Sequence, residues 1–367
     1  MTHAGNAIAP SRSSPLRPDL RELLPTELDA ALRAAGAPAY RARQLAVRLW
    51  RQAAASFDEM RELPAPLREY LKENFKLEVP WRARRALAAD GTRKLLLELA
   101  DGERIESVLI PTPSRLTLCL STQAGCAMGC TFCATARMNL RRNLTAAEIL
   151  GQIVAARREL AADEAIANYV FMGMGEPLAN YPRLKRALTI MTADWGMGIS
   201  PRRITVSTVG LVPMMLRLLS DFQVNLAVSL HATTDELRTR LAPINRRYPL
   251  ATLLEACREL PLQRRRRITF EYVMLDGIND SPADARRLAQ LLARLPAKVN
   301  LIMFNPFAAA PFRPSARPRV EEFQAILQKS HLTATIRESR GQDIAAACGQ
   351  LYSQAAAATR AAAQGLA

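Results

Sequence analysis

Cys126, Cys130 and Cys133 stand in the run Cys126-Ala-Met-Gly-Cys130-Thr-Phe-Cys133, a CxxxCxxC spacing. Three thiolates in one short loop hold three corners of a cubane iron–sulfur cluster and leave the fourth iron open to a substrate or cofactor. A structural zinc site wants a closed set of four ligands instead. The three histidines, His3, His231 and His331, all lie far from the trio in sequence, so only Cys119 is at hand to complete such a set. Three core thiols that merely neighbour one another fit poorly, because Gly129 and Thr131 interrupt any apolar face. The cluster reading leads, with zinc as its alternative.

Further polar or glycine-bearing groups recur downstream: Gly173-Met-Gly175-Glu176-Pro177, Ser207-Thr-Val-Gly210, Ser229-Leu230-His231-Ala232, Asp276-Gly-Ile-Asn279-Asp280 and Asn305-Pro306. Each follows a β-rich apolar run. The runs are Leu116 to Leu120, Asn168 to Met172, Ile204 to Ser207, Val224 to Ser229, Ile268 to Met274 and Val299 to Phe304. Helical periods separate them at Ala146 to Leu160, Leu184 to Thr192, Met214 to Leu219, Leu250 to Leu260 and Ala283 to Leu295. Six alternating strand–helix units predict an α/β fold with a parallel sheet, open or curled into a barrel. In barrel-type folds the strand C-termini converge on one mouth where the chemistry sits. Taken singly, a turn glycine, a strand-end serine or a core histidine explains each group; these five with the cysteine trio, six on one rim, do not reduce to that.

Ahead of these units the chain reads as short helices. Thr26-Glu-Leu-Asp29 predicts a capped helix start stopped at Gly36, Ala42, Leu45 and Leu49 share a second helical face, and a third helix is expected near Ser56 with Glu59 reciprocating. Lys94 to Leu99 and Arg104 to Ile110 are strand-like, joined by the turn signal Asp101-Gly102. The expected organisation is a disordered tail over 1–18, a helical N-terminal domain over 19–92, a β-hairpin extension over 93–112, an α/β core over 113–351 and a low-complexity, Ala-rich tail over 352–367.

The 367 residues are 49% hydrophobic, enough for a large core, yet contain no run of membrane-spanning length and no apolar signal-peptide core. Six cysteines, three of them clustered, argue for a reducing compartment rather than a disulfide framework. The net charge of +16 is spread along the chain in arginine pairs and the block Arg264 to Arg267, which points to a polyanionic partner, nucleic acid.

The cysteine loop after the first strand resembles the radical S-adenosylmethionine (SAM) superfamily. The motifs Glu106-Ser-Val-Leu-Ile-Pro111, Gly173 to Pro177, Ser207 to Gly210, Ser229 to Ala232 and Asp343-Ile-Ala-Ala-Ala-Cys348-Gly-Gln-Leu351, in this order, resemble the RlmN/Cfr-type RNA adenine methyltransferases from about Leu20 to Leu351. The resemblance implies a partial (β/α)6 TIM-like barrel, the radical SAM core over 113–351, behind a small helical RNA-binding domain over 19–92. It implies a [4Fe–4S] cluster on Cys126, Cys130 and Cys133, and SAM contacted by Gly175, Glu176, Ser207, Ser229, Leu230, His231 and Asn305. Cys348 would carry a methyl group taken from one SAM, and a radical made from a second SAM would activate it for addition to adenine. Glu106 would then take the ring proton, and Cys119 would release the product by forming a disulfide with Cys348. Read from the residues alone, Glu106 is a solvent-side strand charge, Cys348 a buried helix-start thiol and Cys257 a small core residue.

The implied substrate is C2 of an adenosine in 23S ribosomal RNA, with transfer RNA as a further one and C8 methylation as the alternative. An electron donor such as flavodoxin or ferredoxin, a cytoplasmic setting and a monomeric chain without membrane contact complete the expectation. Two rivals remain: a radical SAM enzyme of another substrate class, and a zinc-bound RNA-binding module. The chain departs from the family where Ala136 and Asn139 replace glycines of the cluster loop and Met303 replaces a proline; lost glycines mean lost freedom at positive φ.

Overall fold

The computed structural model of the chain describes residues 17–77, 79–307 and 310–352. Apart from residues 17 and 18 and Tyr352, the expected tails over 1–18 and 352–367 lie outside the described residues, as does His3. The chain begins with helices α1 (Pro25–Ala34), α2 (Tyr40–Ala46) and α3 (Ala65–Asn74). Helix α1 starts one residue earlier than the Thr26 signal. Pro25 occupies the first turn, where its missing N–H costs nothing, and Glu27 rather than Asp29 reaches back to the Leu24 amide. The third helix expected near Ser56 is only a single 3-10 turn, Phe57–Glu59, and the true helix follows at α3.

A ten-stranded sheet follows among the described residues. Its first members, β1 (Trp81–Leu87), β2 (Arg93–Glu98) and β3 (Arg104–Thr112), are antiparallel, and β3 pairs with β4 (Arg115–Cys119). Residues 81–87 were expected to be helical; the arginines that break their apolar pattern hide a strand. The predicted hairpin is therefore continuous with the core sheet.

Beyond β4 lie β5 (Gln123–Ala124) and β6 (Arg142–Asn143), a two-residue clasp that closes the base of the cysteine loop. Then strand and helix alternate: α4 (Ala146–Arg157), β7 (Ile166–Phe171), α5 (Tyr181–Thr192), β8 (Ile204–Thr208), α6 (Val212–Asp221), β9 (Asn225–Ser229), α7 (Asp235–Leu241), α8 (Leu250–Glu259), β10 (Ile268–Met274), α9 (Pro282–Leu292), β11 (Ala297–Met303), α10 (Arg317–Lys329) and β12 (Thr333–Arg337). From β4 through β12 every neighbouring pair in the main sheet is parallel. The six predicted strands are present, and β12 adds a seventh parallel one. Its five residues carry no apolar run, but the stripe Val320, Phe323 and Leu327 on α10 announces the unit that leads into it.

Helix α4 is buried along nearly its whole length between the N-terminal helices and the sheet. Thr145 caps it and Glu148 returns the bond, which fixes where the chain turns from loop to helix. Its one core polar residue, Gln152, accepts from Ser107 Oγ (2.7 Å) and the Ser121 amide (2.8 Å) and donates to the Ser121 carbonyl. That network ties the helix to the start of the cysteine loop. The sheet edges, β1 and β12, do not meet, so the barrel is partial. Residues 341–352 span the gap: Asp90 accepts from the Gly341 amide, Lys94 donates to the Ala345 carbonyl, and Glu106 accepts from the Tyr352 amide.

Candidate active site

Cys126, Cys130 and Cys133 line one chamber at the C-terminal mouth of the strands, together with Gly175, Glu176, Ser207, Ser229, His231, Asn305 and Cys348. Every expected SAM contact is thus on this wall except Leu230. Its side chain is fully buried in the core, and its backbone continues the sheet by donating to the Glu271 carbonyl. Gly175 has φ +96°, and a Cβ there would fall 2.5 Å from Gln123 Cβ, so only glycine lets the two strand ends pack this closely. The neighbouring Glu176 amide donates to Gln123 Oε1.

Burial governs the electrostatics of the chamber. It pushes the Cys126 thiol up to about 12 and raises Cys130 and Cys133, with the trio's charges acting on one another. A metal-bound thiol is deprotonated outright, so such sulfurs are committed only when a centre arrives. Burial also lifts Glu176 to about 7 against hydrogen bonds from the Val209 and Leu178 amides. His231 goes the other way: burial lowers it to about 3, with Arg238 adding to the effect. Its Nδ1 accepts from the Val273 amide (3.0 Å), so the ring is neutral with its proton on Nε2. His231 adopts φ +59° and packs edge-on against Phe132 of the cysteine loop.

A second cavity of about 680 Å³ runs down the inside of the barrel. It is lined by the inward-facing alternation of the strands, such as Thr117 and Cys119 on β4, Thr269 and Glu271 on β10, Lys298 and Asn300 on β11, and Thr335 and Arg337 on β12. Six residues line both cavities and form the junction: Met172, Glu271, Ile302, Asn305, Arg337 and Cys348. Cys348 and Cys119, on distant stretches of chain, therefore share the lumen. They also interact electrostatically, and both act on the Arg337 guanidinium, whose pKa is raised chiefly by Cys348. Burial, with Cys348 second, pushes Cys119 up to about 12.

The Cys348 segment is held from both sides. Asn305 Nδ2 donates to the Cys348 carbonyl (3.1 Å), the Ala134 amide to the Gly349 carbonyl (2.7 Å) and Thr135 Oγ1 to the Leu351 carbonyl (2.6 Å). Gly349 takes φ +82° with only 3.2 Å between a would-be Cβ and the Phe132 carbonyl, so the methyl-bearing candidate passes directly against the cysteine loop.

Glu106 is buried, not solvent-facing, and lines neither cavity. Lys94 Nζ stands 3.0 Å from one oxygen and the Tyr352 amide donates to the other at 2.9 Å, while burial raises the carboxyl despite the lysine. Cys257 is a core thiol on α8, as its apolar helix suggests. Arg337, Glu271 and Asn300 are site residues that the sequence reading missed; the signal was a polar residue at every second position of otherwise buried strands.

The donor set suits a cubane cluster. Cys126, Cys130 and Cys133 line the chamber together, the three-thiolate set that leaves one iron of a cubane open. A cubane takes each thiolate at a different iron. Cys119, the candidate fourth zinc ligand, faces the lumen instead of the chamber.

The Radical SAM superfamily model matches residues 120–289. The chain is 48% identical over 339 residues to the dual-specificity RNA methyltransferase RlmN of Syntrophus aciditrophicus, covering 92% of this chain and 97% of that one. It is 51% identical to the RlmN of Anaeromyxobacter dehalogenans, covering 92% of each. This chain belongs to the RlmN family. Among solved structures, a radical SAM methyltransferase from Sphaerobacter thermophilus superposes with a TM-score of 0.88 at 49% identity, covering 91% of this chain and 99% of that one. As a member of this family the protein is a radical SAM RNA methyltransferase, and its cofactors are a [4Fe–4S] cluster and SAM. Among the described residues no helix is long and apolar enough to cross a membrane.

The departures in the cluster loop resolve differently. Ala136 needs no positive φ, so the methyl group there is tolerated, whereas Asn139 does adopt φ +55° with ψ 163°. That ψ lies outside the left-handed α region Asn tolerates, so the lost glycine leaves strain here.

Proposed function

We propose that this enzyme methylates C2 of an adenosine in large-subunit ribosomal RNA, with transfer RNA as a second substrate, through a methyl group carried on Cys348. The observation that carries this reading is the shared lumen: Cys348 opens to the cysteine-lined chamber and to the cavity holding Cys119. The relatives' name, dual-specificity RNA methyltransferase, supports two RNA classes. Cys126, Cys130 and Cys133 would hold the cluster, and Gly175, Glu176, Ser207, Ser229, His231 and Asn305 would surround SAM. The bound cluster and SAM supply a methyl group and the one-electron chemistry that activates it.

The protein's own residues do the rest. An amidine carbon is electrophilic, so the methyl group has to arrive on a carrier, and a thiol is a competent nucleophile for taking it. Arg337 sets a cation beside that sulfur. The neutral His231 offers Nε2–H as a donor at the chamber wall. Glu106 would accept the ring proton; its carboxylate becomes available when the Tyr352 amide lets go. Release needs the second sulfur. Cys119 attacks Cys348, an S–S bond forms, the S–CH2 bond breaks, and its electron pair stays on the carbon, which takes a proton to become the methyl group. A thiol reductant then returns the pair to the dithiol.

All six cysteines are unpaired, as a reducing cytoplasm requires. A monomer served by an electron donor of the flavodoxin or ferredoxin type completes the proposal. Arginines such as Arg246, Arg247 and Arg264 stay exposed and suit backbone phosphates, and the target base has to be extruded to reach the lumen. The test is Cys348→Ala: iron content and cluster absorbance should persist while RNA methylation and the added protein methyl group both vanish. Methylated nucleoside from that variant would refute the reading. Cys119→Ala should instead stall as a covalent protein–RNA adduct.

A further inference from the structure

Ser229, Glu271, Asn300 and Thr335 stand opposite one another on four adjacent strands and form one polar layer across the barrel. Thr335 Oγ1 donates to Asn300 Oδ1 (2.8 Å), and Asn300 Nδ2 donates to Glu271 Oε1 (3.0 Å). The chain of bonds runs toward Glu271 and stops there. Glu271 is 4% exposed, and its Oε2 has no hydrogen-bond partner among the described residues. Arg337 and Lys298 act on it at longer range, without forming an ion pair with it among the described residues.

Buried carboxylate oxygens nearly always have a donor, so this one asks what supplies it. Burial raises the Glu271 carboxyl while Arg337 draws it back toward the carboxylate, and a buried acceptor oxygen left unpaired is costly. Glu271 borders both cavities, but its hydrogen-bonded neighbours Asn300 and Thr335 line only the lumen, as does Cys119. Ser229, opposite Glu271 on β9, lines only the chamber, so a molecule in either cavity can supply the missing donor; the lumen is the side on which Glu271 already has its bonded partners.

We propose that Glu271 Oε2 accepts a hydrogen bond from the exocyclic 6-amino group of the target adenine, making Glu271 the residue that selects this base. The inference rests on the function proposed above and names the contact by which that site reads its substrate. A 6-amino group is a donor and fits; the 6-oxo group of guanine or hypoxanthine would set an acceptor against a carboxylate oxygen and is rejected. Asn300 and Thr335 act as positioning residues that fix the carboxylate from its other oxygen. Cys119 and Cys348 then face the same base from the rest of the lumen wall. Cations at the outer lumen, Arg115, Arg202, Arg203 and Lys298, are placed for the flanking phosphates.

The experiment compares the reconstituted holoenzyme with its Glu271→Gln variant on a ribosomal RNA fragment carrying either adenosine or purine riboside, which lacks the amino group, at the target position. Wild type should favour adenosine by roughly tenfold or more in kcat/KM, the size of a hydrogen bond to a buried, otherwise unpaired group. In Glu271→Gln the side-chain amide places a donor opposite a donor, so the preference should collapse to near unity or invert. Cys348 methylation, read from the intact mass without RNA, reports separately on the chamber that Glu271 also borders. A preference retained in the variant overturns the assignment, and so does loss of Cys348 methylation, which would place the contact on the cofactor. If wild type methylates Cys348 but no RNA, the functional reading falls and the assignment with it, a distinct outcome. Should Glu271→Gln not fold, Glu271→Asp, which withdraws the oxygen by one methylene, carries the same comparison.

Discussion

The buried imidazole of His231 makes acid stability a direct probe of the site's construction. Its pKa falls from 6.5 to about 3 on folding, because burial disfavours the charged ring and Arg238 repels it. The unfolded chain therefore binds the proton more readily over that whole window, and stability drops as pH falls through it. At pH 5, one and a half units below the unfolded value, the loss is about 2 kcal/mol at about 1.36 kcal/mol per unit. His231→Asn isolates the term, since Asn does not titrate and tolerates the φ of +59° at this position. Urea unfolding of both proteins, in the same iron-loading state at pH 7 and pH 5, gives the four free energies needed. Wild type should lose about 2 kcal/mol more than His231→Asn between the two pH values. Equal losses would mean that the ring charges freely in the folded protein. The neutral Nε2–H donor assigned to the chamber wall would then be wrong.

Three other outcomes follow from the same geometry. Asn139→Gly should raise the urea midpoint, gaining about 1 kcal/mol, because φ +55° with ψ 163° is a region that glycine alone adopts without strain. Gly175→Ala should cost roughly 3 kcal/mol or more and shed iron, since the new Cβ meets Gln123 Cβ at 2.5 Å and its amide nitrogen at 2.8 Å in addition to the φ penalty; thermal unfolding and iron assay report both. Lys94→Met should cost on the order of 3 kcal/mol by leaving Glu106 buried without its cation, and adding Glu106→Gln should recover part of that in a double-mutant cycle.

The architecture was legible where hydrophobicity alone sets it. The six strand–helix units read out because parallel strands covered on both sides need long apolar runs. The N-terminal strand Trp81–Leu87 was not legible, since its arginines mask the alternation, and β12 was too short to stand out. The cysteine trio and the strand-end motifs were visible as chemistry because no core explains glycines and carboxylates there. Arg337 and Glu271 were harder to find. Each sits inside a strand, where a polar residue reads as noise until the sheet curls and turns every second position toward a common interior. Glu106 shows the opposite failure. Its strand position suggested solvent, but the C-terminal segment folds over it and supplies the Tyr352 amide.

That segment explains why the barrel is incomplete. In the proposed mechanism Cys348 has to meet a methyl donor, then a base, then Cys119, and no residue fixed in a strand could face all three. The structure places it instead on irregular chain after β12, half-buried, at the junction of the two cavities. Its anchors are individual hydrogen bonds from Asn305, Lys94, Ala134 and Thr135 and into Glu106, each worth about 0.5–1.5 kcal/mol net in the neutral case. Bonds of that size break and re-form one at a time, whereas extraction of a paired strand would cost many at once. A further strand closing the sheet between its edges β12 and β1 would occupy the gap that this segment spans. On this view the open edge of the sheet is what gives one sulfur access to two chambers.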